Sequence, residues 1–79
     1  MSKARLMLDL VEVLKDSPRL EIAVGERRLI GVIDEHTEDS VTIAITAGPD
    51  RGQKEVIEYN RLDDIRPVLY PGKEHHSSR

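Results

Sequence analysis

The sequence predicts a mostly β domain: an N-terminal α-helix followed by a five-stranded, strongly bent antiparallel sheet of the small β-barrel kind. Three observations predict it. Between Leu20 and Tyr70, apolar and polar residues alternate in short runs, the period of strands that turn one face inward. A glycine, Gly31, stands in the middle of the second run, where it marks a bend, a bulge or a close approach of backbone. Residues 3–15 carry a helical period instead.

The helix comes first. Ser2 is placed to cap it, and Leu6, Leu10, Val13 and Leu14 recur at the spacing of one helical face. Met7, Leu8 and Val11 widen that stripe beyond what packing on a small barrel needs. The helix is therefore expected to lid an open end of the barrel, with part of its apolar face left as a candidate surface for a partner. Asp16, Ser17 and Pro18 end it, because proline drives its predecessor out of helical dihedrals.

The strands follow. In "RLEIAVG" the inward row is Leu20, Ile22 and Val24, and Gly25 to Arg27 turns the chain. In "RLIGVIDEH" both faces are apolar near the centre, which suits a strand wrapped into a closed sheet, with Gly31 as the point where one long strand serves both halves. After the polar turn "TEDS", "VTIAIT" points Val41, Ile43 and Ile45 inward. "AGPDRGQ" is loop chemistry, "KEVIEY" the fourth strand and "NRLDD" a tight corner. The last strand, "IRPVLY", contains Pro67, which has no amide hydrogen to donate and so belongs at an edge or bulge.

With 79 residues the chain is one domain, expected over residues 1–72 with the helix at 3–15 and the barrel at 19–70, and a disordered polar tail over 73–79. There is no cysteine, so disulfides, thiol nucleophiles and thiolate metal sites are excluded. No apolar run approaches the roughly 20 residues of a membrane span, and Asp9 and Glu12 interrupt the N-terminal stretch. The expected compartment is the cytoplasm. With no phenylalanine or tryptophan and two tyrosines, the core must be built from Leu, Ile and Val. So small an aliphatic core invites support from a neighbouring subunit.

The order of helix, strand, "RRLIGVIDEH", turn, "VTIAI", loop and "EVIEYNRLDDIRPV" resembles the Sm-like small barrel of the Sm, LSm and Hfq proteins across residues 3–70. The piece at Leu29, Gly31 and Ile33 resembles the first Sm signature, and the piece from Tyr59 to Ile65 the second. The resemblance implies a homo-oligomeric ring in which the fourth strand of one subunit pairs with the fifth of the next. It also implies short single-stranded RNA bound around the pore. The contact loops would be His36 to Ser40 and Tyr59 to Asp64, and the expected RNA-binding residues are His36, Thr37, Tyr59, Asn60 and Arg61. Arg61 matches the Sm arginine. The glycine after it is replaced by Leu62, the lysine and histidine that Hfq uses for uridine by Leu62 and Asp63, and the Sm aspartate position falls on Thr37.

Charge bears on that expectation. Nucleic-acid affinity rests on neutralising phosphates, and this chain has 12 Lys and Arg against 15 Asp and Glu. RNA binding would need a local patch, from Lys3 and Arg5, Arg27 and Arg28, or Arg61 and Arg66. Tyr59 has two readings, a stacking platform for a base or a core ring with a wet hydroxyl. Arg61 has two as well, a phosphate ligand or an ion pair with Asp63 or Asp64. His36 stands among Asp34, Glu35, Glu38 and Asp39, a setting for solvated turn carboxylates rather than for catalysis or a metal, so neither enzymatic activity nor a cofactor is expected. "GPDRG" lacks the following helix and lysine-serine pair of a phosphate loop.

The acidity suits a second class. The helix, the segment "VGERRL" from Val24 to Leu29 and "RLDDI" from Arg61 to Ile65 are also similar to Rof, the bacterial inhibitor of the transcription terminator Rho. That resemblance implies a small protein-binding adaptor without RNA binding, presenting Glu35, Glu38, Asp39, Asp63 and Asp64 to a basic protein surface.

Overall fold

The computed structural model describes residues 2–68, so the polar tail expected over 73–79 and the end of the last strand lie outside the described residues. Among the described residues the order is α1 (Lys3–Leu14), β1 (Leu20–Val24), β2 (Arg27–His36), β3 (Ser40–Ile45), β4 (Lys54–Glu58) and β5 (Asp64–Pro67). The expected helix and five strands are all present. Ser2 caps α1, its side chain accepting a hydrogen bond from the Arg5 amide at 3.2 Å.

The strands form one antiparallel sheet in the order β4-β3-β2-β1-β5. β2 is the spine. Its N-terminal half pairs with β1 as far as Leu20↔Gly31, and from Gly31↔Ile45 onward it pairs with β3. Gly31 therefore stands where the strand passes from one neighbour to the other, and it alone is paired with both. A Cβ there would run into the Ala44 carbonyl oxygen and lie 3.0 Å from Ile43 Cγ2, so the position needs glycine for close approach of β3. The irregularity itself falls further along, between Ile33 and Glu35, where the register with β3 shifts around Asp34.

The bend carries β2 toward β4, two places away in the sheet. Arg27 forks onto Glu55 with two hydrogen bonds of 2.8 Å, and Lys54 meets Asp34 at 3.2 Å. The Arg27 guanidinium holds the Glu55 carboxyl below its usual pKa, chiefly through the hydrogen bonds. The sheet does not close on itself, however. β4 and β5 are its two edges, and no pairing joins them among the described residues. Pro67 stands on β5, an edge strand, opposite Leu20.

The core gathers on one face of this sheet: Leu20, Ile22, Val24, Leu29, Val41, Ile43, Ile45, Ile57 and Ile65, with Tyr59 and Leu62 from the corner after β4. α1 contributes Met7 and Val11 and touches β5. The phase of the helix differs from the expected one. Met7 and Val11 are buried and Leu10 and Leu14 partly so, whereas Leu6 and Val13 are 48% and 77% exposed. A stripe of apolar residues this wide fits more than one rotation of the helix, and contact with the sheet selects one.

Candidate functional site

The two loops expected to carry function meet at one end of the sheet. The β2–β3 turn is closed by Thr37, whose hydroxyl accepts hydrogen bonds from the Asp39 and Ser40 amides, both at 3.1 Å. The corner after β4 docks on that turn twice. The Tyr59 amide donates to the Asp39 carbonyl at 3.1 Å, and the Tyr59 hydroxyl donates to the Thr37 carbonyl at 2.8 Å.

Each sequence-predicted residue has a definite place. Tyr59 is 1% exposed and takes the core reading: its ring has no open face for a base. Burial raises its pKa, and the negative charges of Glu12 and Asp39 add to the effect. Thr37 is engaged in its own turn. His36 ends β2 opposite Val41, with Nε2 3.6 Å from Oε2 of Glu12 on α1. Asn60 is exposed, its carbonyl accepting a hydrogen bond from Lys3 Nζ at 3.2 Å. Arg61 is exposed and pairs with neither Asp63 nor Asp64; its charge instead reaches Glu55.

Those two aspartates are committed elsewhere. Asp63 accepts from the Gly25 amide at 2.6 Å and from Lys3 Nζ at 3.2 Å, and these bonds, the backbone one foremost, hold its carboxyl below the usual range. Asp64 accepts from the Ile65 amide at 2.9 Å and faces Arg66 at 3.7 Å. The candidate basic residues are similarly engaged: Lys3 with Asp63, Arg5 with Asp9, Arg27 with Glu55, and Arg28 and Arg66 with Glu21.

What the fold brings together instead is carboxylates. A cleft of about 510 Å³ between α1 and the β2–β3 turn is lined by Ala4, Arg5, Leu8, Asp9, Glu12, Glu38 and Asp39. A neighbouring hollow shares Ala4, Glu38 and Asp39 and adds Glu58 and Asn60. Arg5 is the single cation in this lining, 3.5 Å from Asp9. Among the described residues, no cluster of three or more His, Asp or Glu is arranged to hold a metal ion. The cleft is thus a region of negative potential over a small apolar floor.

Of the acidic residues the sequence singled out, Glu38 and Asp39 line this cleft, whereas Glu35, Asp63 and Asp64 do not. Asp9, Glu12 and Glu58 were not singled out. The available signal was the spacing of Asp9 and Glu12, three residues apart on one helical flank. Which way that flank faces is a tertiary property. Among the described residues no helix is long and apolar enough to cross a membrane. Comparisons of the chain with protein-family models, with curated proteins and with solved structures find no match.

Proposed function

We propose that this chain is a small protein-binding adaptor of Sm-like architecture, resembling Rof, that receives a basic protein surface at the cleft between α1 and the β2–β3 turn. The observation that carries the reading is the charge of that cleft. Five carboxylates, from Asp9, Glu12, Glu38, Asp39 and Glu58, surround it and its neighbouring hollow, against the one guanidinium of Arg5. A phosphate backbone brought to this place meets like charge, whereas lysine and arginine side chains meet complementary charge.

The test is titration of the full chain with a short oligolysine peptide and, separately, with oligo-U RNA, at low and moderate salt. The peptide is expected to bind with a steep salt dependence and the RNA not to bind. Reversing Glu38 and Asp39 to lysine should weaken the peptide by about tenfold or more, as loss of complementary charge at a partly desolvated contact does. RNA uptake by the unmodified chain, with peptide binding indifferent to the reversal, would overturn the reading.

A second reading is favoured by a different observation, the two sheet edges at β4 and β5, which no strand among the described residues pairs. Bare edges invite pairing with another chain. In this reading the protein is an RNA-binding homo-oligomeric ring, self-associated through strands 4 and 5, with His36, Thr37, Asn60 and Arg61 toward the pore and Tyr59 supporting them from within. Light scattering separates the two: a mass of six or seven subunits that takes up RNA, and loses affinity on Arg61→Glu, belongs to the ring.

A further inference from the structure

We infer that the outer face of α1 is a docking surface for an amphipathic basic helix of a partner protein, an inference that rests on the protein-binding reading above. The argument begins with the helix phase. Contact with the sheet turns Met7 and Val11 inward, and this leaves Leu6 and Val13 48% and 77% exposed, with the partly buried Leu10 between them. Residues separated by three, four and seven positions share one stripe of a helix, so these three form an apolar ridge whose ends are about 10 Å apart.

A carboxylate ridge runs beside it. Asp9 and Glu12 have side chains 55% and 61% exposed, with Arg5 3.5 Å from Asp9 as the one cation on this flank among the described residues and His36 3.6 Å from Glu12. The exposed Asp16 extends the row past the end of the helix, so carboxylates outnumber cations along it. Asp9 and Glu12 also line the acidic cleft, so the ridge and the cleft are one continuous surface. An apolar seam flanked on one side by carboxylates selects its occupant by charge: apolar residues at i, i+3 or i+4, and i+7, flanked by lysine or arginine. A second copy of this chain fits poorly, because its own seam is flanked by Asp9, Glu12 and Asp16 rather than by the row of lysine or arginine that would complement them. Nucleic acid and an anionic membrane surface are disfavoured by the same charges.

The experiment is a methyl-resolved NMR titration of the full chain with two synthetic peptides of identical Lys/Leu composition, one with leucines at helical spacing and one scrambled. The helical peptide should shift the methyl signals of Leu6, Leu10 and Val13 while leaving buried Val11 in place. It should bind the double variant Leu6→Ser, Val13→Ser about tenfold more weakly, whereas the scrambled peptide should bind both forms equally. Equal affinity for the two peptides, or indifference of the helical peptide to the variant, would overturn the inference and leave the cleft reading standing. Failure of both peptides to bind would overturn both. Concentration-dependent shifts of the same methyls without peptide would identify a second copy as the occupant and overturn the inference. The wild-type comparison of the two peptides decides the matter independently of how well the variant folds.

Discussion

Gly31 and Tyr59 are the residues at which the fold has least freedom, for opposite reasons. At Gly31 the constraint is missing volume: an added methyl group collides with the Ala44 carbonyl and crowds Ile43. Gly31→Ala is expected to destabilise the chain by about 1–3 kcal/mol, the range of overpacked sites, as measured by chemical denaturation. At Tyr59 the constraint is filled volume plus one hydrogen bond. Tyr59→Phe keeps the ring and removes the donor to the Thr37 carbonyl, an expected loss of about 1 kcal/mol. Tyr59→Ala also leaves a cavity in the core and should cost about 3–5 kcal/mol by the same measurement. A Phe variant as damaging as the Ala variant would show that the hydroxyl, not the ring, holds the two loops together.

The elements are joined by a few contacts between groups distant in sequence, and Asp63 is the clearest. One carboxylate accepts from the Gly25 amide in the β1–β2 turn and from Lys3 in the first turn of α1. Gly25 opens that two-residue turn with φ of 62°, a left-handed conformation that glycine adopts without the clash of a Cβ. Folding lowers the Asp63 pKa. Its stabilisation is therefore present above the unfolded value of about 3.9 and is lost as pH falls through the lower folded value. Asp63→Asn is expected to lower the melting temperature at pH 7, with the gap to the unmodified chain narrowing as the pH falls below about 4. A gap that stays constant across that range would assign the loss to packing rather than charge. The helix shows what its sequence leaves open. The boundaries of α1 follow from Ser2, Asp16, Ser17 and Pro18, but apolar residues cover so much of its circumference that their periodicity does not fix which side is buried.

At the scale of the molecule, two properties remain exposed for use: the edges of β4 and β5, unpaired among the described residues, and a negative surface continuous from α1 to the β2–β3 turn. The order of elements, the inward rows of β1 and β3, the edge position of Pro67 and the service of β2 to both of its neighbours were all legible in the sequence. They follow from local rules, namely period-two alternation, turn chemistry, and the missing amide hydrogen of proline. The candidate site was less legible, because it depends on groups brought together from three separate stretches of chain. Tyr59 has the same neighbours in sequence whether its ring stacks outward or packs inward; docking of the corner on the turn decides that it packs inward. Arg61 stands beside two aspartates, yet Lys3, the Gly25 amide and Arg66 take them first. The sequence by itself determined which segments are helix and strand and that the chain carries excess negative charge. Only the tertiary structure decided where that charge gathers and that the sheet stays open. The reason is physical: alternation and turn propensity act between neighbours along the chain, whereas electrostatic potential and edge pairing depend on distances that exist only after folding.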